Sequence, residues 1–139
     1  MSEETDKLVK AIRKAKRVYL VGNGGSAANA MHICNDLLSQ GIKAYTIDGA
    51  SLSMMANDFG WEKALAWWVS TVGEPGDLLI ALSGSGQSPN ILNAVVTANC
   101  VGMTVHKEYG YPQGLNMQEA EEAQIRLGHD LMRALRDGE

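Results

Sequence analysis

Residues 17–30 read RVYLVGNGGSAANA, and this stretch decides the fold. Four large apolar or aromatic residues in a row after Arg17 predict a buried strand over residues 17–21. Residues 22–26, here called the glycine loop, are too rich in glycine to continue the strand, and the alanines after them favour a helix that ends near Gly41. The stretch therefore predicts a strand, a glycine turn and a helix in direct succession.

The alternation of strand and helix continues along the chain. A short amphipathic helix is predicted at residues 3–16, and further strands are predicted at 43–47, 78–82 and 103–106. The other predicted helices are 51–57, 62–72, 89–100 and 115–136, and residues 107–114 are predicted to form a loop. Strands that alternate with helices build a parallel sheet covered on both faces. We therefore expect an α/β fold, a three-layer α/β/α sandwich with a parallel sheet of about four to five strands, as one domain over residues 1–139.

Composition limits the classes of protein to which the chain can belong. It has 139 residues, with 12 Lys and Arg against 16 Asp and Glu and a net charge of −4, so nucleic acid is not an expected partner. No apolar run approaches the ~18 residues of a membrane-spanning helix, and the acidic residues 2–7 are unlike a signal peptide. Cys34 and Cys100 lack the spacing of a CxxC site and are expected to be reduced. We expect a cytoplasmic protein with no membrane partner.

The loop after the third predicted strand carries the strongest functional signal. Residues 83–88, here called the serine loop, read SGSGQS, and Pro89 suits the first position of a helix. Hydroxyl groups beside the unpaired N–H groups of a helix N-terminus suit a bound phosphate. We therefore expect Ser83, Ser85 and Ser88 to bind phosphate. The alternative is that the serine loop only makes a tight turn.

The glycine loop allows a second interpretation. Gly22, Gly24 and Ala27 match a relaxed dinucleotide-binding pattern, and Asp48 follows the second predicted strand, where a ribose-binding acid would lie. Against this, 139 residues leave no room for a separate substrate domain, and the serine loop would have no role in a nicotinamide enzyme. A small dinucleotide-binding module therefore remains a minor alternative.

Histidines and carboxylates on two predicted helices favour a metal site. His32 and Asp36 are four residues apart and share one helix face, and zinc accepts both ligand types. His129 lies on the last helix, seven residues after Glu122 and eight after Glu121, spacings that bring a carboxylate to roughly the same side. The alternative for His32 and Asp36 is a surface contact, and His106 at a strand end is expected to be structural.

Four motifs occur along the chain: GNGGSAANAMH at 22–32, ANDFG at 56–60, SGSGQS at 83–88, and EEAQ at 121–124 followed by His129. In this order they resemble the sugar isomerase (SIS) domain family and, within it, the phosphoheptose isomerases. The resemblance covers nearly the whole chain, which looks like a shortened form of the family, and it implies a flavodoxin-like SIS fold. It also implies a zinc-dependent homotetramer that interconverts D-sedoheptulose 7-phosphate and D-glycero-D-manno-heptose 7-phosphate.

The resemblance implies roles for individual residues. Those implied to contact the substrate are Asn23, Gly24, Gly25, Ser26, Asn57, Asp58, Ser83, Gly84, Ser85, Ser88 and Glu121. Those implied to hold one zinc ion per subunit are His32, Asp36, Glu121 and His129. Asp36 stands where the family usually has Glu, and Glu121 where it usually has Gln. From the residues alone, 57–60 could equally be a C-capping turn.

The chemistry fits this set of residues. Ketose–aldose interconversion moves a proton between adjacent carbons through an enediol, which needs a base, an acid and stabilisation of oxyanion charge. Asp36 and His129 are the candidate base and acid, and a zinc ion could stabilise the charge. The main alternative is a non-catalytic SIS-domain protein that binds a sugar phosphate or a protein partner.

Adjacent large apolar residues predict self-association. Trp67 and Trp68 are neighbours on one predicted helix and cannot point the same way, so one should face outward. Met54 and Met55 pose the same problem, and exposed apolar clusters usually mark a subunit interface. We expect a homotetramer with active sites at subunit boundaries, as the resemblance implies, and a dimer as the fallback.

Overall fold

Four parallel strands form one sheet in the computed structural model, which describes residues 2–137. The strands are β1 (Val18–Val21), β2 (Ala44–Thr46), β3 (Leu78–Ser83) and β4 (Thr104–Tyr109). The helices are α1 (Glu3–Lys14), α2 (Gly25–Ser39), α3 (Gly49–Phe59), α4 (Trp61–Val72), α5 (Pro89–Val101) and α6 (Met117–Asp137), with a 3₁₀ turn at Tyr111–Gln113. None of these helices is long and apolar enough to span a membrane.

The strand order is β2-β1-β3-β4, which is the doubly wound, flavodoxin-like order. The chain leaves β1 towards β2 on one side and leaves β3 towards β4 on the other. The loops after β1 and β3 therefore diverge and leave a crevice at the carboxyl edge of the sheet, where ligands bind in such folds. The predicted α/β sandwich with a parallel sheet is confirmed, with four strands.

Strand β4 is longer than predicted. Residues 107–109 were predicted as loop, but they continue the parallel ladder, with Ala81 opposite Lys107 and Ser83 opposite Tyr109. The prediction was wrong because charged Lys107 and Glu108 look like loop residues, whereas an edge strand can carry them.

Two apolar layers enclose the sheet. On one face α1, α2 and α6 cover side chains that include Leu20 and Ile80, and on the other α3, α4 and α5 cover side chains that include Leu79. Strands β1 and β3 are buried along their whole length, as expected for central strands of a parallel sheet. The two central strands thus fix where the glycine and serine loops begin.

The prediction for the paired tryptophans and methionines is confirmed. Trp68 and Met55 are each 8% exposed, whereas Trp67 is 49% and Met54 48% exposed. The ring of Trp67 stacks on Phe59 with centroids 4.1 Å apart. The α3–α4 pair therefore presents large apolar side chains to solvent.

Candidate active site

The glycine loop turns sharply because its glycines have no side chains. A Cβ on Gly22 would lie 2.7 Å from the carbonyl atoms of Ser26, closer than real side chains come. Gly24 is the N-cap of α2 and has a φ of +54°, in the region that favours glycine. The turn brings the N-terminus of α2 directly to the end of β1, at the crevice.

The serine loop is organised by its own hydroxyl groups. The Oγ of buried Ser83 accepts a hydrogen bond from the Gly86 N–H at 3.0 Å, and the Oγ of Ser85 accepts one from the Gln87 N–H at 3.1 Å. Ser88 is the N-cap of α5, but its side chain makes no capping bond. Two serines therefore shape the turn, and at the N-terminus of α5 it is the Asn90 side chain that accepts a hydrogen bond from a first-turn N–H, that of Ile91, at 3.0 Å.

Tyr109, a residue that the sequence analysis did not single out, packs against the serine loop. Its side chain lies against Gly86, where a Cβ would come within 3.1 Å of it. Its hydroxyl is buried without a hydrogen-bond partner among the described residues, and burial raises the pKa of the Tyr109 hydroxyl above its usual value.

The two loops are joined by a pair of asparagines. The side-chain amide of Asn23 donates to the Asn90 carbonyl oxygen at 2.9 Å, and that of Asn90 donates back to Asn23 at 2.8 Å. Asn90 lies in the first turn of α5 and is 1% exposed. The sequence analysis missed Asn90, although a buried asparagine two residues after an N-cap serine is a polar group that needs a partner.

The start of α6 closes the crevice from a third side. Met117 fills the space beside Gly84 that a side chain there would need, and Ala120 does the same beside Gly110. One turn further, Gln124 is 1% exposed and donates to the Ser26 hydroxyl at 3.0 Å. Gln124 is the second missed residue, and it ties α6 to the N-terminus of α2.

Three of the residues that were expected to bind a metal lie close together: His32, Asp36 and His129. Their ligand atoms all lie within 4.8 Å of one another. The His32 Nε2 is 3.4 Å from the Asp36 Oδ2, and the imidazole rings of His32 and His129 lie 5.6 Å apart. Gly128 permits this approach of α2 and α6, since a Cβ there would meet the Ile33 side chain at 2.7 Å.

This donor set fits a zinc ion. Zinc accepts two imidazole nitrogens and a carboxylate, and catalytic zinc sites commonly have three protein ligands and one open position. The side chain of His32 is 51% exposed and that of Asp36 is 25% exposed, so an ion could enter from solvent.

Glu121 is not among the three clustered residues. Its carboxylate instead occupies the space beside Gly25 that a side chain on Gly25 would need. Ser26 is 2% exposed and already accepts the bond from Gln124. The structure thus separates the four residues that were expected to hold zinc into a group of three and Glu121 at the glycine loop.

Asn57 and Asp58 lie in the last turn of α3 and are exposed. The Asn57 amide donates to the Asp58 carboxylate at 3.3 Å. Among residues 2–137, no side-chain hydrogen bond connects either residue with the glycine or serine loop. Gly60 follows at a φ of +88° and ends the helix.

Two other polar residues have local roles. Asp48 is the N-cap of α3: its carboxylate accepts bonds from the Ser51 N–H at 2.9 Å and the Ser51 hydroxyl at 2.7 Å. These bonds lower the pKa of the Asp48 carboxyl below its usual value and engage both of its oxygens, which weighs against a ribose-binding role. His106, on β4, pairs with Glu108 at 2.9 Å, in keeping with the expected structural role.

Sequence comparison identifies relatives over most of the chain. A model of the SIS domain family matches residues 2–106. A phosphoheptose isomerase from a Bradyrhizobium species is 39% identical over 106 residues, which cover 70% of this chain and 54% of that relative. One from Sodalis glossinidius is 36% identical over 135 residues, which cover 91% of this chain and 69% of that relative. The chain spans about half the length of the first of these curated relatives.

Structure comparison agrees on the architecture. A phosphoheptose isomerase from Francisella tularensis superposes with a TM-score of 0.85 at 24% identity, over 96% of this chain and 84% of that chain. At this identity the likeness bears on the fold alone. Together with the match over residues 2–106 and the similar sequences, it shows that the chain belongs to the SIS domain family, with phosphoheptose isomerases as its homologues.

Proposed function

We propose that the chain is an aldose–ketose isomerase that interconverts D-sedoheptulose 7-phosphate and D-glycero-D-manno-heptose 7-phosphate. The observation that carries the proposal is that two helix N-termini meet at one crevice, held by the Asn23–Asn90 pair, while His32 and Asp36 of α2 form a cluster with His129 of α6. The relatives are named phosphoheptose isomerases, which supports a heptose phosphate as the substrate. The domain is proposed to comprise residues 1–139.

The phosphate of the substrate is proposed to bind at the serine loop. Pro89 has no N–H and the Ile91 N–H donates to the Asn90 side chain at 3.0 Å, so the N-terminus of α5 offers the Asn90 N–H, with the Ser88 hydroxyl beside it, 3.5 Å from that of Ser85. Ser83 and Ser85 hold the loop in shape through their bonds to Gly86 and Gln87, and their hydroxyls keep a proton to donate. The remaining proposed substrate contacts are Asn23, Gly24, Gly25, Ser26, Asn57, Asp58, Gly84 and Glu121.

One Zn²⁺ per subunit is proposed to be held by His32, Asp36 and His129. When bound, the ion would supply positive charge that stabilises an oxyanion. Asp36 and His129 are the proposed base and acid for moving the proton between the adjacent carbons. Binding of the phosphate would hold these carbons in a fixed place relative to the two groups.

Activity with added zinc tests the proposal directly. The wild-type chain should convert sedoheptulose 7-phosphate, and His129→Ala should lose both metal and turnover because two ligands hold zinc weakly. Ser83→Ala with Ser85→Ala should weaken sugar-phosphate binding severalfold or more. Ser70→Ala, an exposed serine on α4, is the matched control. Equal affinity of the double variant and the wild type would contradict the phosphate assignment.

A non-catalytic sugar-phosphate-binding protein is the second candidate. It is favoured by one observation, that Glu121 lies apart from the three clustered residues, so the expected four-residue zinc set is not assembled. Sugar-phosphate binding without turnover, at saturating zinc, would select this candidate over the isomerase.

Assembly into a homotetramer, or a dimer as the fallback, is part of the proposal. The exposed patch on α3 and α4 supports it, with stacked Phe59 and Trp67, Trp61 at 51% exposure and Met54. Light scattering should give a mass above 15.0 kDa, and Trp67→Lys should lower it. A fully active monomer would contradict this interface. A cytoplasmic location belongs to the same proposal.

A further inference from the structure

We propose that Gln124 and Asn29 are positioning residues for the metal centre. Their hydrogen bonds fix how α6 is aligned along α2, and this alignment brings His129 to the two ligands on α2. The inference rests on the zinc site of the proposed function. It goes beyond that site because neither residue is one of the three clustered ligands, and each acts through the helix that carries it.

Hydrogen bonds between the two helices converge on Gln124. Its side chain is 1% exposed and donates to the Ser26 hydroxyl at 3.0 Å, while its carbonyl oxygen accepts a bond from the Asn29 amide at 2.8 Å. The same amide also donates to the main-chain carbonyl of Glu121 at 3.0 Å. Buried polar groups are costly without partners, so a displacement of α6 that separates these atoms is unfavourable.

The apolar contacts between α2 and α6 are less selective. Leu127, Leu131 and Leu135 repeat every four residues on α6, and they belong to the same apolar layer as Ile33 and Leu37 of α2. After a slide of one helical turn, about 5.4 Å, apolar side chains would again face apolar ones. A buried amide side chain is more selective because it needs a particular partner, and single buried asparagines select the alignment of paired helices in coiled coils in this way.

The metal centre lies directly beyond this network. His32 follows Asn29 by three residues and His129 follows Gln124 by five, which are about 4.5 and 7.5 Å of helix at ~1.5 Å per residue. Zinc–nitrogen bonds are only ~2.0–2.1 Å long, so a one-turn slide would take His129 out of reach of an ion held on α2. Gly128 lets the two helices approach at this level, and the bonds of Gln124 fix the position at which they do so.

Titration of the full chain with Zn²⁺ and, separately, with inorganic phosphate tests the inference. Gln124→Met keeps the approximate size of the side chain and removes its hydrogen bonds, and Asn29→Ala breaks the same network from α2. Gln118→Met, an exposed glutamine on the same helix, is the matched control, and His129→Ala is the reference for a lost ligand. Visible absorption of Co²⁺ bound in place of zinc reports the coordination geometry, and urea unfolding of the metal-free variants reports their stability.

For Gln124→Met and Asn29→Ala we expect about tenfold or more weaker zinc binding, as is typical when residues that orient metal ligands are replaced, and a changed cobalt spectrum. Affinity for inorganic phosphate should stay unchanged, because the serine loop is held by its own hydrogen bonds. Gln118→Met should match the wild type in all of these measurements.

A loss of stability in urea with unchanged zinc affinity and cobalt spectrum would overturn the inference, since the network would then only stabilise the fold. If Gln124→Met does not fold, the same two readouts on Asn29→Ala decide the result. Weaker zinc binding by these variants in a chain that converts no sugar phosphate would support the inference while contradicting the isomerase. A wild-type chain that binds no zinc would overturn both.

Discussion

The Asn23–Asn90 pair should couple the glycine loop energetically to the start of α5. Each amide donates to the other's carbonyl oxygen, at 2.9 and 2.8 Å, and Asn90 is buried. One neutral hydrogen bond contributes about 0.5–1.5 kcal/mol net, so two bonds should give a coupling of about 1–3 kcal/mol. Either single alanine variant removes the partner of the remaining amide group, whereas the double variant leaves no side-chain amide at either position.

A double-mutant cycle measures this coupling. Urea unfolding of the wild type, Asn23→Ala, Asn90→Ala and the double variant should be done at one protomer concentration, because self-association would make stability depend on it. We expect the double variant to be destabilised by about 1–3 kcal/mol less than the sum of the two single variants. Asn99→Ala, exposed near the end of the same helix, should combine additively with Asn23→Ala.

The outcome that would refute the reasoning is additivity of Asn23→Ala and Asn90→Ala within ~0.5 kcal/mol. The two asparagines would then contribute independently, and the loops would not be held together by this pair. If the coupling is present, Asn90→Ala should also weaken inorganic phosphate binding, since the first turn of α5 would lose its anchor on the glycine loop.

Three further outcomes are expected. Tyr109→Phe should leave the free energy of unfolding unchanged or raise it by about 0.5–1 kcal/mol in urea titrations, because the removed hydroxyl is buried without a partner; a clear loss would show that it has one. Cys100 should react with a thiol reagent in the native protein and Cys34 only after unfolding, since Cys34 is buried and burial raises its thiol pKa. Asp36→Glu should keep or improve zinc affinity by calorimetry, because the added methylene extends the carboxylate's reach; abolished binding would mean that the shorter carboxylate is required.

Local sequence patterns were enough to predict the strand and helix order, and the reason is that these patterns are short-range. The apolar run after Arg17, the glycines at 22–26 and the serines at 83–88 each act on neighbouring backbone. The prediction failed at 107–109, where pairing with β3 extends β4 through charged residues. Strand pairing is a long-range interaction that a local pattern does not contain.

The candidate site was only partly predictable. Spacing on one helix was sufficient to place His32 beside Asp36, because a helix of known pitch fixes residues four apart. Asn90 and Gln124 were missed because their partners, Asn23 and Ser26, are distant in sequence. Their burial is a property of the packed helices, and a single asparagine or glutamine in a sequence does not indicate it.

By itself, the sequence determined the class of fold, the two loops at the sheet edge and the types of residue available for phosphate and metal binding. Only the tertiary structure decided the alignment of α6 along α2, and so it decided that His129 joins His32 while Glu121 meets Gly25. Two residues on one helix can contact the neighbouring helix at different positions along its axis. That alignment is set by close packing, as of Gly128 against Ile33, and by buried hydrogen bonds between elements far apart in the chain.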